Sequence, residues 1–292
     1  MLDHLGRYKE ALADFDRSLR QRANHPETLL NRGITLTHLG RNAEALADLS
    51  RCLKLRPDEP AALSSRGIAL AGLKRFEEAL ADFNRSLELR PDDADTLNDR
   101  GVALNALGRF DEALADFNKA LKLRPDNVDT LYNRAFALDN MGKHMQALAD
   151  LDRCLELRPD DPDALTARGI VLARLERYDE AVINFNRSLQ LRPNHPGTLH
   201  NRGIALGHLE RYDEALSDFG RCLELNPDDP DPLYNRACVF SLAGRLEEAL
   251  NELSAALARS DRYREMARLD ADFQNLREDS ELGPKFNGLI SA

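Results

Sequence analysis

The chain has 292 residues, of which 42% are apolar and 31% charged, and its formal net charge is −10. This composition predicts a folded chain rather than a disordered one, and the negative charge argues against a nucleic-acid partner held through phosphates. No stretch approaches the uninterrupted apolar length that a membrane crossing needs, and the start, "MLDHLGRYKEALADF", lacks the basic head and apolar run of a secretory signal. A cytoplasmic location follows as the expectation, with no membrane partner.

Residues 1–25 read as the end of a structural unit: a stub, "MLDHLG", then a helix from about Tyr8 to Leu19 with Ala11, Leu12, Phe15 and Leu19 on its apolar side. From residue 26 the sequence repeats itself. The prolines at 57, 91, 125, 159, 193 and 227 are 34 residues apart. The same step aligns Ala45, Ala79, Ala113, Ala147, Ala181, Ala215 and Ala249, and it aligns Leu49, Phe83, Phe117, Leu151, Phe185, Phe219 and Leu253. A glycine column, Gly33, Gly67, Gly101, Gly169 and Gly203, has Ala135 and Ala237 in its gaps. Such a period marks a stack of identical supersecondary units. Seven full units follow at 26–59, 60–93, 94–127, 128–161, 162–195, 196–229 and 230–263, and 264–292 is a different, capping tail.

Each unit reads as two helices. In 60–93 they span about 61–73 and 77–89, both with apolar residues at spacings of three and four. The second opens on acidic residues, favourable at the positive end of a helix dipole, and stops before the proline. Gly40, Gly108, Gly142 and Gly244 fall at the intervening turn, as a left-handed helix end requires. Lys74, Glu176 and Glu210 replace them in three units, so a side chain must be tolerated there.

This pattern resembles the tetratricopeptide repeat family. A small residue late in the first helix, then Ala, an aromatic or Leu, another small residue and Pro recur in register in all seven units. The resemblance implies an all-α fold, a right-handed superhelical α-solenoid of helix–turn–helix units whose first helices line the concave side. One departure is plain. Where the family usually has an apolar residue before the glycine column, this chain has Arg32, Arg66, Arg100, Arg134, Arg168, Arg202 and Arg236.

A residue present in every unit is a rule of the unit, not a catalytic site. The second helix carries an acid on its own buried stripe: Asp14, Asp48, Asp82, Asp116, Asp150 and Asp218, with Asn184 and Glu252 as exceptions. The economical reading is a structural Arg–carboxylate pair at each helix contact, with the arginine stem packed along the stripe. Arg66 could meet Asp48 of the preceding unit or Asp82 of its own. The functional alternative sends the arginines into the groove to hold an acidic ligand.

On the first helices, Asn31, Asn133, Asn201 and Asn235 form a column, with Ser65, Asp99 and Ala167 between them. Beside it lie Leu30, Ser64, Asn98, Tyr132, Thr166, His200 and Tyr234, and one turn on lie Ile34, Ile68, Val102, Phe136, Ile170, Ile204 and Cys238. A side-chain amide both donates and accepts, so it pairs with any peptide backbone. The column is similar to the asparagine ladder in the repeat domain of O-GlcNAc transferases. Glu27, Asp95, Asp129, Asp163 and Asp231 stand near the helix starts, so the expected partner is an extended, neutral to basic peptide or protein segment. A carboxylate clamp for acidic C-termini is disfavoured, because the groove columns have no lysine. Two functions remain: a non-enzymatic interaction scaffold, or a substrate-recruiting part of a larger enzyme such as a glycosyltransferase.

No catalytic constellation is apparent, and no cofactor or metal is expected. His38 and His208 share a repeat phase and His200 precedes His208 by eight residues, but no third ligand recurs. Cys52, Cys154 and Cys222 occupy a small-residue phase and read as packed thiols. "PDDPD" at 159–163 and 227–231 lacks the glycine and terminal glutamate of a calcium loop. In the tail, helices are expected at about 262–268 and 272–277, with Leu269, Phe273, Leu276 and Phe286 packed near Leu250 and Leu257. At the front, the apolar side of the 8–19 helix lacks a first helix to cover it. That edge is read as the mark of a missing upstream piece or as a surface for self-association about a two-fold axis.

Overall fold

The computed structural model describes the backbone of residues 2–291 and the side chains of residues 7–291. Among them every regular element is helical, eighteen α-helices and one short 3-10 helix. The chain divides into two compact bodies, 1–153 and 154–292. After α1 (Leu2–Gln21) come seven helix pairs: α2 (Pro26–His38) with α3 (Asn42–Leu55), α4 (Pro60–Gly72) with α5 (Phe76–Leu89), α6 (Ala94–Ala106) with α7 (Phe110–Leu123), α8 (Val128–Asn140) with α9 (His144–Leu157), α10 (Pro162–Arg174) with α11 (Tyr178–Leu191), α12 (Pro196–His208) with α13 (Tyr212–Leu225), and α14 (Pro230–Leu242) with α15 (Leu246–Arg259). The fold is all-α, built of stacked helix–turn–helix units.

The local chemistry of the unit explains its ends. Proline opens α2, α4, α10, α12 and α14, where its missing N–H costs nothing. Asp93, Asp161 and Asp229 cap α6, α10 and α14 by accepting from first-turn amides. The first helix ends in a left-handed residue whose successor bonds back. Arg41 N–H donates to Leu36 C=O and Arg75 N–H to Leu70 C=O, each at 2.9 Å. Gly40 takes φ 70°, whereas Lys74, Glu176 and Glu210 hold φ near 60° as non-glycine residues, at a cost on the order of 1–2 kcal/mol each.

Within a unit the two helices meet at the glycine column. A Cβ built on Gly67 would lie 2.5 Å from Phe83 Cε1, and one on Gly101 equally close to Phe117 Cε1. Phe83 and Phe117 are wholly buried. Gly169 over Phe185 and Gly203 over Phe219 repeat the contact in the second body. Where the second helix offers Leu151 or Leu253, the facing residue is Ala135 or Ala237. Phe83, Phe117, Phe185 and Phe219 thus each face a glycine, and in the first unit Leu49 does too, its Cγ lying 2.6 Å from where a Cβ on Gly33 would stand.

Two expectations about the ends are corrected. The stub and the helix from Tyr8 are one continuous helix of 20 residues. Met1 and the side chains of residues 2–6 lie outside the described residues. At the other end, α16 (Arg262–Leu269), a 3-10 turn (Ala271–Phe273), α17 (Gln274–Glu278) and an unforeseen α18 (Leu282–Ser291) close the second body. Phe273, Leu276 and Phe286 are fully buried in a cluster with Leu253, Leu257 and Tyr263. Leu269, expected to pack there, is 76% exposed. Tyr263 and Ala267 hold the inward stripe of α16, and Leu269 lies on the other side of the helix.

Candidate interaction surface

Arg66 donates from Nε and Nη2 to both carboxylate oxygens of Asp82 at 2.7 Å. The geometry is repeated for Arg32 with Asp48, Arg100 with Asp116 and Arg134 with Asp150 in the first body, and for Arg202 with Asp218 in the second. The partner is therefore the acid of the same unit. The preceding second helix supplies a lesser contact, Nη1 to Asn84 for Arg100 and to Asn118 for Arg134, at 2.8 and 2.7 Å. For Arg32 that contact is Asp16 at 2.5 Å. Asp82, Asp116 and Asp150 are buried and the arginines about three-quarters so. Bonding to Asp82 holds the Arg66 guanidinium above its ordinary range, against the opposing effect of burial. The arginines are thus engaged inside their units, and Arg32, Arg100, Arg134 and Arg202 also tie in the preceding second helix. Arg168 reaches Asn184 at 3.2 Å, and Arg236 pairs with Glu252 at 2.9 Å.

The first helices present the other columns. In the first body Ile68 and Val102 are each 39% exposed and Phe136 is 54% exposed, on successive first helices at one repeat phase. Beside them Asn133 Nδ2 donates to Asn98 Oδ1 at 3.1 Å, and Asn105 Nδ2 donates to the Asn133 carbonyl at 3.3 Å. Asn31 is exposed and Tyr132 half-buried in the same rows. Asp99 occupies the asparagine column and accepts from Asn98 at 3.4 Å. Burial pushes its carboxyl up to about 6, with Asp95 and Asp93 adding to the rise. The amides therefore form a bonded strip flanking an open apolar row.

In the second body Ile204 is 36% exposed and lines a cleft of about 290 Å³ with Asn235, Cys238, Leu242 and Asp272. Asn235 Nδ2 meets His200 Nε2 at 3.2 Å, and the His200 ring abuts Phe219 edge-on at 5.7 Å. Burial lowers the pKa of His200, which favours the neutral ring. Asn201 donates to its own helix at Gly197 C=O, 2.7 Å away. Tyr234 is not a groove residue. It is 4% exposed, stacked on Tyr263 at 4.7 Å, and donates to Asp270 at 2.7 Å. The tail folds over the last first helix and covers it.

The acidic residues expected at the helix starts are paired with arginines while their side chains stay at the surface. Asp95 is bonded to Arg124 at 2.6 Å and Asp163 to Arg192 at 2.7 Å, while Glu27 pairs with Arg56 and Asp231 with Arg262. These arginines lie just before or near the turn that ends each unit, and the recurring "LRP" of the sequence was a signal for them. The pairing offsets their charge without burying them.

The remaining chemistry-bearing residues have structural surroundings. His38 stacks on Tyr8 at 5.8 Å and His208 on Tyr178 at 4.4 Å. Cys52, Cys154, Cys222 and Cys238 are buried and free of disulfides. Cys238, Asp270 and Asp272 bring ligand atoms within 4.8 Å of one another. Asp270 is already the acceptor for Tyr234 and, at 3.6 Å, for the Cys238 thiol, which burial holds far above the ordinary thiol range. This is a hydrogen-bonded seam between α14 and the tail.

Tetratricopeptide repeat models match residues 66–130 and 169–232, residues 2–60, 30–94 and 132–196, and residues 208–273. The chain belongs to the tetratricopeptide repeat family. Tetratricopeptide repeats generally mediate protein–protein interactions and act as non-catalytic scaffolds. Among solved structures, a tetratricopeptide repeat protein from Parabacteroides merdae ATCC 43184 aligns over 91% of this chain and 99% of that chain, with TM-score 0.65 and 18% identity. The APC/C hetero-tetramer Cut9-Hcn1 aligns over 96% of this chain and 52% of that chain, with TM-score 0.69 and 18% identity. YrrB, described as a tetratricopeptide repeat protein with an unusual peptide-binding site, aligns over 61% of this chain and 92% of that chain, with TM-score 0.52 and 24% identity. These likenesses show the fold. No curated protein matches in sequence.

Proposed function

We propose that the chain is a non-catalytic interaction scaffold that binds an extended peptide segment along its first helices. The observation that carries this reading is the open apolar row Ile68, Val102 and Phe136, repeated in phase beside bonded amides. A folded chain has no stability reason to display one apolar residue per unit at a fixed phase. Neighbouring packed helices lie about 8–10 Å apart. A segment in the extended polyproline II conformation has three residues per turn and advances about 3.1 Å per residue, so its every third side chain returns to the same face and keeps step with the row. The partner is accordingly an extended segment with apolar residues at every third position. Asn31, Asn98 and Asn133 offer amide contacts to its backbone, and Tyr132 flanks it. In the second body the corresponding contacts are Ile204, His200, Asn201 and Asn235.

The arginines take no part in binding, since each is held within its unit. A charge-selective partner is not required, because the acids of the rim are paired. The second reading, a recruiting module for a larger enzyme such as the O-GlcNAc transferases, uses the same surface and the same amides.

A peptide array tests the proposal. Arrayed peptides with apolar residues spaced by three should capture the chain, and those with the same composition at spacings of two or four should capture it less. Capture governed by acidic C-termini or by net charge alone would overturn the reading.

A further inference from the structure

The repeated arginine has a second arm. Besides the acid of its own unit, Arg32 reaches through Nη1 to Asp16, sixteen residues back on the preceding second helix. At the same spacing Nη1 of Arg100, Arg134 and Arg202 donates to Asn84, Asn118 and Asn186. For Arg66 that place is held by Ser50, whose hydroxyl is one bond nearer the backbone and makes no contact with it. Arg66 donates to Asp82 through Nε and Nη2. Its Nη1 has no hydrogen-bond partner among the described residues. The side chain is 26% exposed, so this edge of the guanidinium is open to solvent.

The surroundings are cationic. Between α5 and α7 a cleft of about 420 Å³ lies over the Arg100–Asp116 pair, with Glu77 on its wall, and Glu88 stands further along the same interval. At the phases of these two acids α3 carries Ala43 and Lys54. Lys54 is exposed and enters no ion pair among the described residues. It lies four residues after Ser50, on the same face of α3. Asp82 is nearly buried and both its oxygens are taken by Arg66. Arg32 shows that such a guanidinium can hold a second anion, since it bonds Asp48 and Asp16 together. The donors left over are Arg66 Nη1, Lys54 Nζ and the Ser50 hydroxyl. Ile68, two residues after Arg66, lies on the opposite side of α4, so these donors stand apart from the first-helix row.

We propose that Ser50, Lys54 and Arg66 form a binding site for a phosphoryl dianion, seated between α3 and α4 where Asp16 meets Arg32 in the unit before. A phosphoryl group brings three strong acceptor oxygens and close to two negative charges, which match three donors from two helices, one of them an unpaired lysine. A carboxylate brings two oxygens and one charge. The site stands independently of the function proposed for the first helices.

Isothermal titration calorimetry of the full chain at fixed ionic strength tests this, with inorganic phosphate, a phosphoserine peptide and acetate as titrants. Saturable one-site binding of a phosphoryl titrant is expected, with acetate about tenfold or more weaker. Binding of inorganic phosphate assigns a free anion as the source, and binding of the phosphopeptide alone assigns a partner's modified side chain; either supports the site. Ser50→Asp supplies from within the chain the carboxylate that Asp16 gives Arg32, so it should raise the melting temperature and weaken phosphoryl binding about tenfold or more. Lys54→Glu, at an exposed position, should leave the melting curve in place and weaken binding similarly. Phe136→Asp should leave binding unaltered. No binding of either phosphoryl titrant, equal binding of acetate, or affinity unchanged in both Ser50→Asp and Lys54→Glu overturns the inference. Phosphopeptide binding lost with Phe136→Asp and kept with Lys54→Glu places the peptide on the first-helix row and likewise overturns it.

Discussion

Arg100→Leu is the substitution that most strictly interrogates the repeated ion pair. It removes two bonds to Asp116, at 2.7 and 2.6 Å, and one to Asn84 at 2.8 Å. Asp116 keeps only 7% of its side chain exposed, so its charge is left without a partner, a situation that costs about 3–5 kcal/mol. An isolated buried carboxyl can escape by taking up a proton, which at pH 7 costs about 4 kcal/mol from an ordinary carboxylate value and sets a ceiling. The Arg100 side chain is 25% exposed, so water reaches part of the vacated space and the loss should settle near about 3 kcal/mol. The sign of the pH effect follows. The folded variant holds its acid neutral more readily than the unfolded chain does, so its deficit grows as pH rises and shrinks to about 1 kcal/mol at pH 4.5. Urea unfolding followed by far-UV circular dichroism at both pH values measures this. Adding Asp116→Leu should restore most of the loss, whereas adding Asp82→Leu should deepen it by stranding Arg66. Arg100→Leu within about 0.5 kcal/mol of the parent at pH 7, or rescue by Asp82→Leu, would refute the reasoning.

Gly67→Ala should cost about 1–2 kcal/mol despite alanine's better helix propensity, because its Cβ meets the Phe83 ring; Phe83→Leu in the same chain should relieve it, as Ala135 and Leu151 coexist in a later unit. The Asp99 carboxyl, raised to about 6 by burial, makes the folded state bind more protons than the unfolded state between pH 4 and 6, so stability falls as pH rises through that window. Asp99→Asn should remove this slope, stabilising the chain at pH 8 by up to about 3 kcal/mol and leaving pH 4 nearly unchanged in thermal melts. Phe286→Ala, at a fully buried position, should cost about 3–5 kcal/mol and appear as faster amide exchange in α15. Truncation after Tyr263 should lower solubility by uncovering Leu253 and Leu257.

The helix pairs were legible within a residue or two because proline, glycine and the apolar columns recur at one period. Partner choice for the arginines was not. A column shows that Arg66 faces an acid, but Asp48 and Asp82 lie at similar sequence distances, and only the packed geometry separates them. Tyr234 was misplaced because the repeat rule opens its phase to the groove, and the covering tail carries no repeat that would announce it. The pairing of Asp95 and Asp163 was not legible because their partners, Arg124 and Arg192, lie 29 residues away and belong to a different motif. The apolar row of Ile68, Val102 and Phe136 was visible throughout, since a repeated first-helix phase that faces no other helix stays exposed.

The most direct measurement of the scaffold account is the affinity of one array-selected peptide for the parent chain and for Phe136→Asp, by anisotropy at fixed salt. Phe136 is 54% exposed, so the substitution should leave the melting curve in place. The account predicts binding weakened about tenfold or more by Phe136→Asp and kept by Phe136→Leu. Equal affinity for the parent and Phe136→Asp, with the fold intact, would contradict it.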